Sequence, residues 1–286
     1  KVDSILNASC IEQYIEDRPF SIFPQVQYTE RPDKTAAALL EGRVALIVDG
    51  SPDVILLPVL FTQLLQSSED YYNRIVAGTF VRWVRYMGLF IATTLPSLYV
   101  AVISFHAELI PFNLLLSIAT AREGVPFPAF VEVVIMELSF ELLREAGVRI
   151  PGPMGSTIGI VGGLIIGQAA VTAGVVSPII VIVVAVTALA SFAIPNDELS
   201  SAFRILKYFA IVLAAFYGFF GIIMALLFVV GHLCRLKSFG FPYMIPYVAA
   251  DVNKKRDLKD SVIRYPMKNL SWKSIYASRR NRKGRY

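Results

Sequence analysis

Four glutamates, Glu132, Glu137, Glu141 and Glu145, lie within VEVVIMELSFELLREAG, residues 131–147. Carboxylates at this spacing can do two kinds of work. Around a water-filled path they favour cations, as acidic rings do in channels. At a lipid–water boundary they stay in water while the other face of their helix sits in lipid. At about 100° per residue, Glu137, Glu141, Arg144 and Glu145 share one arc, and Ile135, Met136, Leu138, Phe140, Leu142 and Leu143 share the opposite one. An amphipathic helix over 127–147 is therefore expected, interfacial or re-entrant. Interfacial helices usually carry Lys and Arg on their polar face, and this one is acidic. One helix supplies one acidic stripe, so a ring would need several copies of the chain. Both readings stay open. Glu132 sits among apolar positions, near a helix start where the dipole favours an anion.

What must position these acids is an unusually apolar chain. Its 286 residues are 55% hydrophobic, with a mean hydropathy of +0.58. No charge falls in the 20 residues between Arg85 and His106, in the 47 between Arg149 and Asp197, or in the 27 between Lys207 and Arg235. A bilayer core needs about 20 apolar helical residues. The longest run, broken by AGVVSP at 173–178, is long enough for two crossings. Four spans are expected at 87–105, 155–173, 177–194 and 208–234, with Pro96 kinking the first. A further re-entrant or interfacial helix is expected at 109–121, because LIPFNLLLSIATA is too short to cross alone.

The second span carries Gly155, Gly159, Gly163 and Gly167 at four-residue spacing. Such a stripe lets helix backbones approach closely. Gln168 follows it, a lone polar group suited to a helix–helix hydrogen bond and a further candidate for an ion path. In FVRWVRYMG, Arg82, Trp83 and Arg85 form an expected collar of interface anchors before the first span.

Residues 1–80 read as the last part of a soluble α/β domain. Helices are expected at 2–17 and in PDKTAAALLEG, with a hairpin turning at Asp49-Gly50-Ser51-Pro52. The chain has no initiator Met and no secretory signal, and is expected to begin inside a larger soluble domain. Membrane residues are then 81–240, and 241–286 form a basic tail. From Arg235 onward 14 Lys/Arg face 3 Asp/Glu, whereas the rest carries 13 against 19. A basic tail following a span suits anionic lipid better than nucleic acid. Four spans, an even number, place both termini in the cytoplasm.

No phosphate loop, HExxH or GxSxG is present. No catalytic residue, cofactor or metal site is expected; His232 and Cys234 are two residues and make no site. Cys10 and Cys234 stand alone, as reduced thiols do. His106 reads as an interfacial anchor. The fold class is a mainly α-helical polytopic membrane protein with a partial N-terminal α/β soluble domain.

The phrases YTERPDKTAAALLEGRVALIVDGSP, AREGVPFPAFVEVVIMELSFELLREAG, IGQAAVTAGVVSP and SFAIPNDELS resemble the GerA family of spore germination proteins, and within it the A subunit of nutrient germinant receptors. A sporulation-linked relative of the SpoVAF type shares YTERPD and RWVR but is less similar through AREGVPFP and LLREAG. The resemblance implies a place in the spore inner membrane, a B subunit resembling amino-acid transporters and a C lipoprotein as partners, and assembly into a homo-oligomer, a pentamer, that conducts cations once nutrient binds. It assigns no pore residue by number. Glu137, Glu141, Glu145 and Gln168 remain ion-path candidates from the residues alone. A non-conducting receptor scaffold and a secondary transporter are the competing functions; no internal repeat supports the latter.

Overall fold

The computed structural model describes residues 8–150, 153–248 and 260–265, without side-chain surroundings for 153–161 and 164. The chain divides into two compact units.

The first unit gathers residues up to Tyr86, Pro195–Ala202 and the chain from Val230 onward. Its centre is an antiparallel sheet in the order β1-β3-β2, from β1 (Gln27–Thr29), β2 (Val44–Ile47) and β3 (Val54–Leu57). The expected hairpin is present: Ile47 pairs with Val54, and Gly50 (φ +80°) turns the loop between them. α1 (Ala8–Ile15) and the sheet bury Ala8, Val26 and Ile55. α2 (Pro32–Leu40) starts with proline in its first turn, where the missing N–H costs nothing. It ends as the Gly42 N–H bonds Leu39 O and the Arg43 N–H bonds Ala38 O. Two short helices follow, α3 (Phe61–Leu65) and α4 (Glu69–Tyr72).

Residues 237–243, the end of the expected membrane region and the start of the expected basic tail, contribute to this unit. β4 (Lys237–Ser238) and β5 (Phe241–Pro242) form a small hairpin. Ser238 Oγ donates to Gln25 O (2.7 Å) and accepts from the Val59 N–H (3.1 Å). Tyr243 is fully buried, and its hydroxyl donates to Pro24 O at 2.8 Å. The tail's start was hidden in sequence because its polar partners are about two hundred residues away.

In the same unit Glu16 stands beside Glu12. Burial, then the Glu12 charge, pushes its carboxyl up to about 7. A raised acid binds its proton more tightly folded than unfolded. Its contribution is fully present below about pH 4.5 and is lost as pH rises through about 7. Glu16→Gln is therefore expected to raise the thermal midpoint of the full-length protein at pH 8 and to leave it unchanged at pH 4.5, measured by scanning fluorimetry.

The second unit comprises Met87–Ile194 and Phe203–Val229. Its helices are the later part of α5 (Ile75–Phe105), α6 (Phe112–Ala121), α7 (Ala129–Arg149), α8 (Pro153–Thr172), α9 (Pro178–Phe192) and most of α10 (Asp197–Arg235). α5 runs on through Pro96 as one 31-residue helix. Thr93, Thr94 and Ser97 turn their hydroxyls back onto carbonyls of the same helix.

α10 is not straight. Gly218 has φ +59°, ψ −136°, outside any helical conformation. The rings of Phe209 and Phe228 stand 5.5 Å apart, whereas 19 residues of continuous helix would separate them by about 28 Å. Residues 197–217 and 219–235 are therefore the two arms of a hairpin. The expected single span at 208–234 contains its apex. A Cβ on Gly218 would stand 3.0 Å from His106 Cε1 and 3.2 Å from Phe105 Cβ, so the apex lies at the end of α5.

Contacts inside this unit set the other directions. A Cβ on Gly88 would meet Ala190 O at 2.9 Å, so the part of α5 that enters this unit meets the end of α9. Position 162 meets Leu143 and position 163 meets Phe140, which makes α8 antiparallel to α7. Glu132 reaches Ser177 and Arg144 reaches Ser191, which makes α7 and α9 parallel. The helices alternate in direction: α5, α7, α8, α9 and the two arms of α10. The core between them is Tyr99, Val100, Val133, Met136, Ile180, Val184 and Ile211.

Candidate functional site

α7 begins after Pro128, whose fixed φ suits a helix entry. Two of its carboxylates, Glu132 and Glu137, then turn inward. Glu137 is 3% exposed, while Leu142, on the opposite, apolar arc, is 71% exposed. Exposed Phe216, Phe220, Leu227, Leu189 and Ile182 continue this inverted pattern on α10 and α9.

Each of the four glutamates has its own cation. Glu132, fully buried, takes Arg122 Nη2 on Oε1 (2.9 Å) and the Ser177 N–H on Oε2 (2.9 Å). It thus ties the end of α6 and the start of α9 to the first turn of α7. Glu137 Oε2 accepts from Lys207 Nζ at 2.5 Å; the two side chains are 3% and 6% exposed. Glu141 pairs with Arg204. Glu145 pairs with Arg149 one turn on, and both are exposed. Arg144, between the last two acids, donates to Ser191 Oγ at 2.9 Å and lies over the Phe192 ring at 4.8 Å. Glu137 Oε1 and Tyr208 Oη are buried without a partner. A carboxylate in an apolar interior must be paired, and here the partners are Lys207 and Arg204 on α10.

The other candidates fall elsewhere. Gln168 is exposed on α8. Gly167 is buried, with α9 close by: a Cβ would stand 3.3 Å from Val181 Cγ1. Gly163 faces Phe140 of α7. The surroundings of Gly155 and Gly159 lie outside the described residues.

Arg82 and Arg85, expected as interface anchors, are buried in an ionic cluster of the first unit, while Trp83 is exposed. Asp70 Oδ2 accepts from Arg82 Nε (3.1 Å) and Arg85 Nη1 (2.7 Å). Arg82 Nη1 also donates to Asp260 O (2.8 Å) and Oδ1 (3.0 Å). The Tyr71 hydroxyl donates to Asp260 Oδ2 at 2.6 Å, and the Arg264 guanidinium holds Tyr71 O and Asn73 O. The cluster fastens residues 260–265 to the start of α5. Both arginines alternate with apolar residues in a helix, so sequence alone gives them a lipid boundary; their partners are Asp70 in the short helix α4 and Asp260, far along the chain. Asp260→Ala removes the carboxylate from Arg82 and Tyr71 and is expected to cost about 2 kcal/mol. Limited proteolysis should then cut near 260–265 before any other site in the first unit.

His106 sits at the end of α5, its ring edge-on to Phe219 at 4.9 Å. His232 stacks on Phe23 and meets Ser21 Oγ at 3.2 Å. No group of three or more His, Cys, Asp or Glu among the described residues is arranged to hold a metal ion. Two helices among them, α5 and α10, are long and apolar enough to cross a membrane.

Residues 1–275 match the sequence profile of the Bacillus/Clostridium GerA spore germination proteins. The chain belongs to the GerA family. Family relatives include YfkQ of Bacillus subtilis strain 168, an uncharacterised membrane protein 50% identical over 266 residues, 93% of this chain and 51% of the relative. Spore germination protein KA of the same organism is 49% identical over 265 residues, 93% of this chain and 48% of the relative. Spore germination protein A1, also from that organism, is 46% identical over 269 residues, 94% and 55%. The chain thus spans about half the length of the GerA proteins it matches. No solved structure matches it.

Proposed function

We propose that this chain is the membrane-embedded part of a spore germinant receptor A subunit, and that several copies assemble around a cation path opened by nutrient. The germination role rests on family membership and on relatives named as spore germination proteins. The membrane role is carried by the inverted helical unit, with ion pairs inside and leucines and phenylalanines outside. Buried, paired charges with an apolar exterior are what lipid selects. A B subunit that holds the nutrient, a C lipoprotein, and anionic lipid at the basic tail complete the assembly in the spore inner membrane.

The arrangement favours six crossings over four. α7 has 21 residues and is about 31 Å long, enough for a hydrocarbon core of about 30 Å. The α10 hairpin supplies two crossings. A Cβ at Gly174 would lie 3.8 Å from Gly124 O, so the turns before α7 and after α8 share one side. In a four-span layout, 123 and 173 fall on opposite sides. With six crossings, Glu123→Cys and Ala173→Cys both react with an impermeant maleimide applied from outside, and neither requires permeabilisation. Labelling from opposite sides would restore four spans. Both layouts keep both termini in the cytoplasm.

Conduction is tested with the full-length chain and its partner subunits in phosphatidylethanolamine–phosphatidylglycerol vesicles loaded with potassium chloride. Adding a mixture of the twenty standard amino acids and glucose is expected to release potassium. A complex that assembles and passes no potassium under any addition is a scaffold. One observation favours that second reading: each α7 carboxylate is already paired within its own chain.

A further inference from the structure

The spacing of charges on α7 and on the first arm of α10 fits two pairings. α7 carries acids at 137, 141 and 145, and the antiparallel arm carries cations at 204 and 207. In the structure Lys207 holds Glu137, and Arg204 holds Glu141. Moving α7 by one helical turn, about 6 Å, brings Glu141 to Lys207 and Glu145 to Arg204. The same two cations are again paired, with the same geometry between antiparallel helices.

We propose that α7 and α10 form a one-turn ratchet with these two registers, and that the shifted register frees Glu137 from Lys207 as a binding site for a monovalent cation. Packed elements have discrete arrangements, and turn-by-turn jumps of one past another are a known form of switching. α7 moves with its neighbours: Arg144 ties it to Ser191 of α9, Glu132 ties it to Ser177 and Arg122, and Leu143 and Phe140 lie against α8. Against α10, charged side chains bridge the two helices at Glu137 and Glu141. Glu145 has a reason to exist in this scheme. At rest it holds only exposed Arg149, and in the shifted register it takes over Arg204.

The shifted register is the minor one. Glu137 loses Lys207 and comes level with Ile211, and Arg149 loses Glu145. A buried carboxylate without a partner demands a cation, and Glu137 Oε1 lacks a donor even at rest. A cation at Glu137 thus takes the place of the Lys207 ammonium. The register pair stands on the ion pairs alone; the cation site rests on the channel reading above.

The test uses the full-length chain in its membrane, with Cys10 and Cys234 replaced by serine. Arg204→Cys removes one ion pair from each register, so it does not bias them. With Glu141→Cys it should cross-link readily under copper phenanthroline; with Glu145→Cys it should cross-link poorly. Adding Glu137→Gln to the second pair removes the last ion pair of the resting register and is expected to raise that cross-link at least fivefold. Glu137→Asp, which keeps the charge and shortens the reach, should give a smaller rise and covers the case in which Glu137→Gln fails to assemble. A 145–204 yield that stays low in both variants overturns the ratchet, whatever the vesicles conduct. A yield that rises while Glu137→Gln leaves potassium flux and its cation preference unchanged keeps the registers and overturns Glu137 as the cation site.

Discussion

Lys207→Met should destabilise the helical unit by about 3–5 kcal/mol, the cost of leaving a buried ionic partner unpaired. Lys207 Nζ is 2.5 Å from Glu137 Oε2, and neither side chain has useful access to water. Methionine fills most of the lysine volume, so little of the loss comes from a cavity. Nor can the carboxylate turn to another donor, since Glu137 Oε1 is already without one. The double variant Lys207→Met, Glu137→Gln should recover most of the loss, because an amide costs far less to bury than a carboxylate. Thermal aggregation midpoints in a mild detergent for the four combinations show whether the two losses are coupled: a double variant far above the sum of the two single shifts marks the interaction. Independent, additive losses would mean that the two side chains do not interact in the protein as they do here.

Gly218→Ala is expected to be comparably severe, about 2–6 kcal/mol. The conformation φ +59°, ψ −136° is one that only glycine adopts freely. Forcing another residue into it costs roughly 1–3 kcal/mol of backbone strain. A Cβ there would also press on His106 and Phe105 at 3.0–3.2 Å, and overpacking adds roughly 1–3 kcal/mol. The arms of α10 touch only if the apex closes, as the Phe209–Phe228 contact shows. Cysteines at those two positions should cross-link in the parent protein and lose most of that yield in Gly218→Ala. An undiminished yield would show that the hairpin does not depend on glycine at its apex.

The sequence displayed its helices more plainly than their relations. Long charge-free runs marked α5, α9 and α10, and the Asp-Gly pair marked the β2–β3 turn. The acidic stripe on α7 was legible, but its orientation was not. Periodicity finds a polar face; it does not say whether that face meets water or another charged helix. Lys207 and Arg204 lie 70 and 63 residues from Glu137 and Glu141, at the edge of an uncharged run, with nothing in the sequence to join them to α7. Hydropathy also saw one continuous apolar segment across Gly218, because a glycine within a helical pattern is common and a reversal on one residue is not. Arg82 and Arg85 were misplaced for a similar reason: their counterions are one aspartate in a short helix and one in the tail. Of the glycine ladder, Gly163 lies beside Phe140 of α7 and Gly167 beside Val181 of α9.

The bond from the Tyr243 hydroxyl to Pro24 O joins residues separated by 219 positions. A ribosome adding about 5–20 residues per second needs roughly ten to forty seconds to make that much chain. During this interval the α/β sheet has been synthesised but lacks Ser238, Tyr243 and the segment that closes over it. The helices of the second unit must all be made in the meantime. Maturation of the first unit is therefore timed by completion of the helical one, so a chain stalled in α10 would present an unfinished sheet to chaperones and proteases.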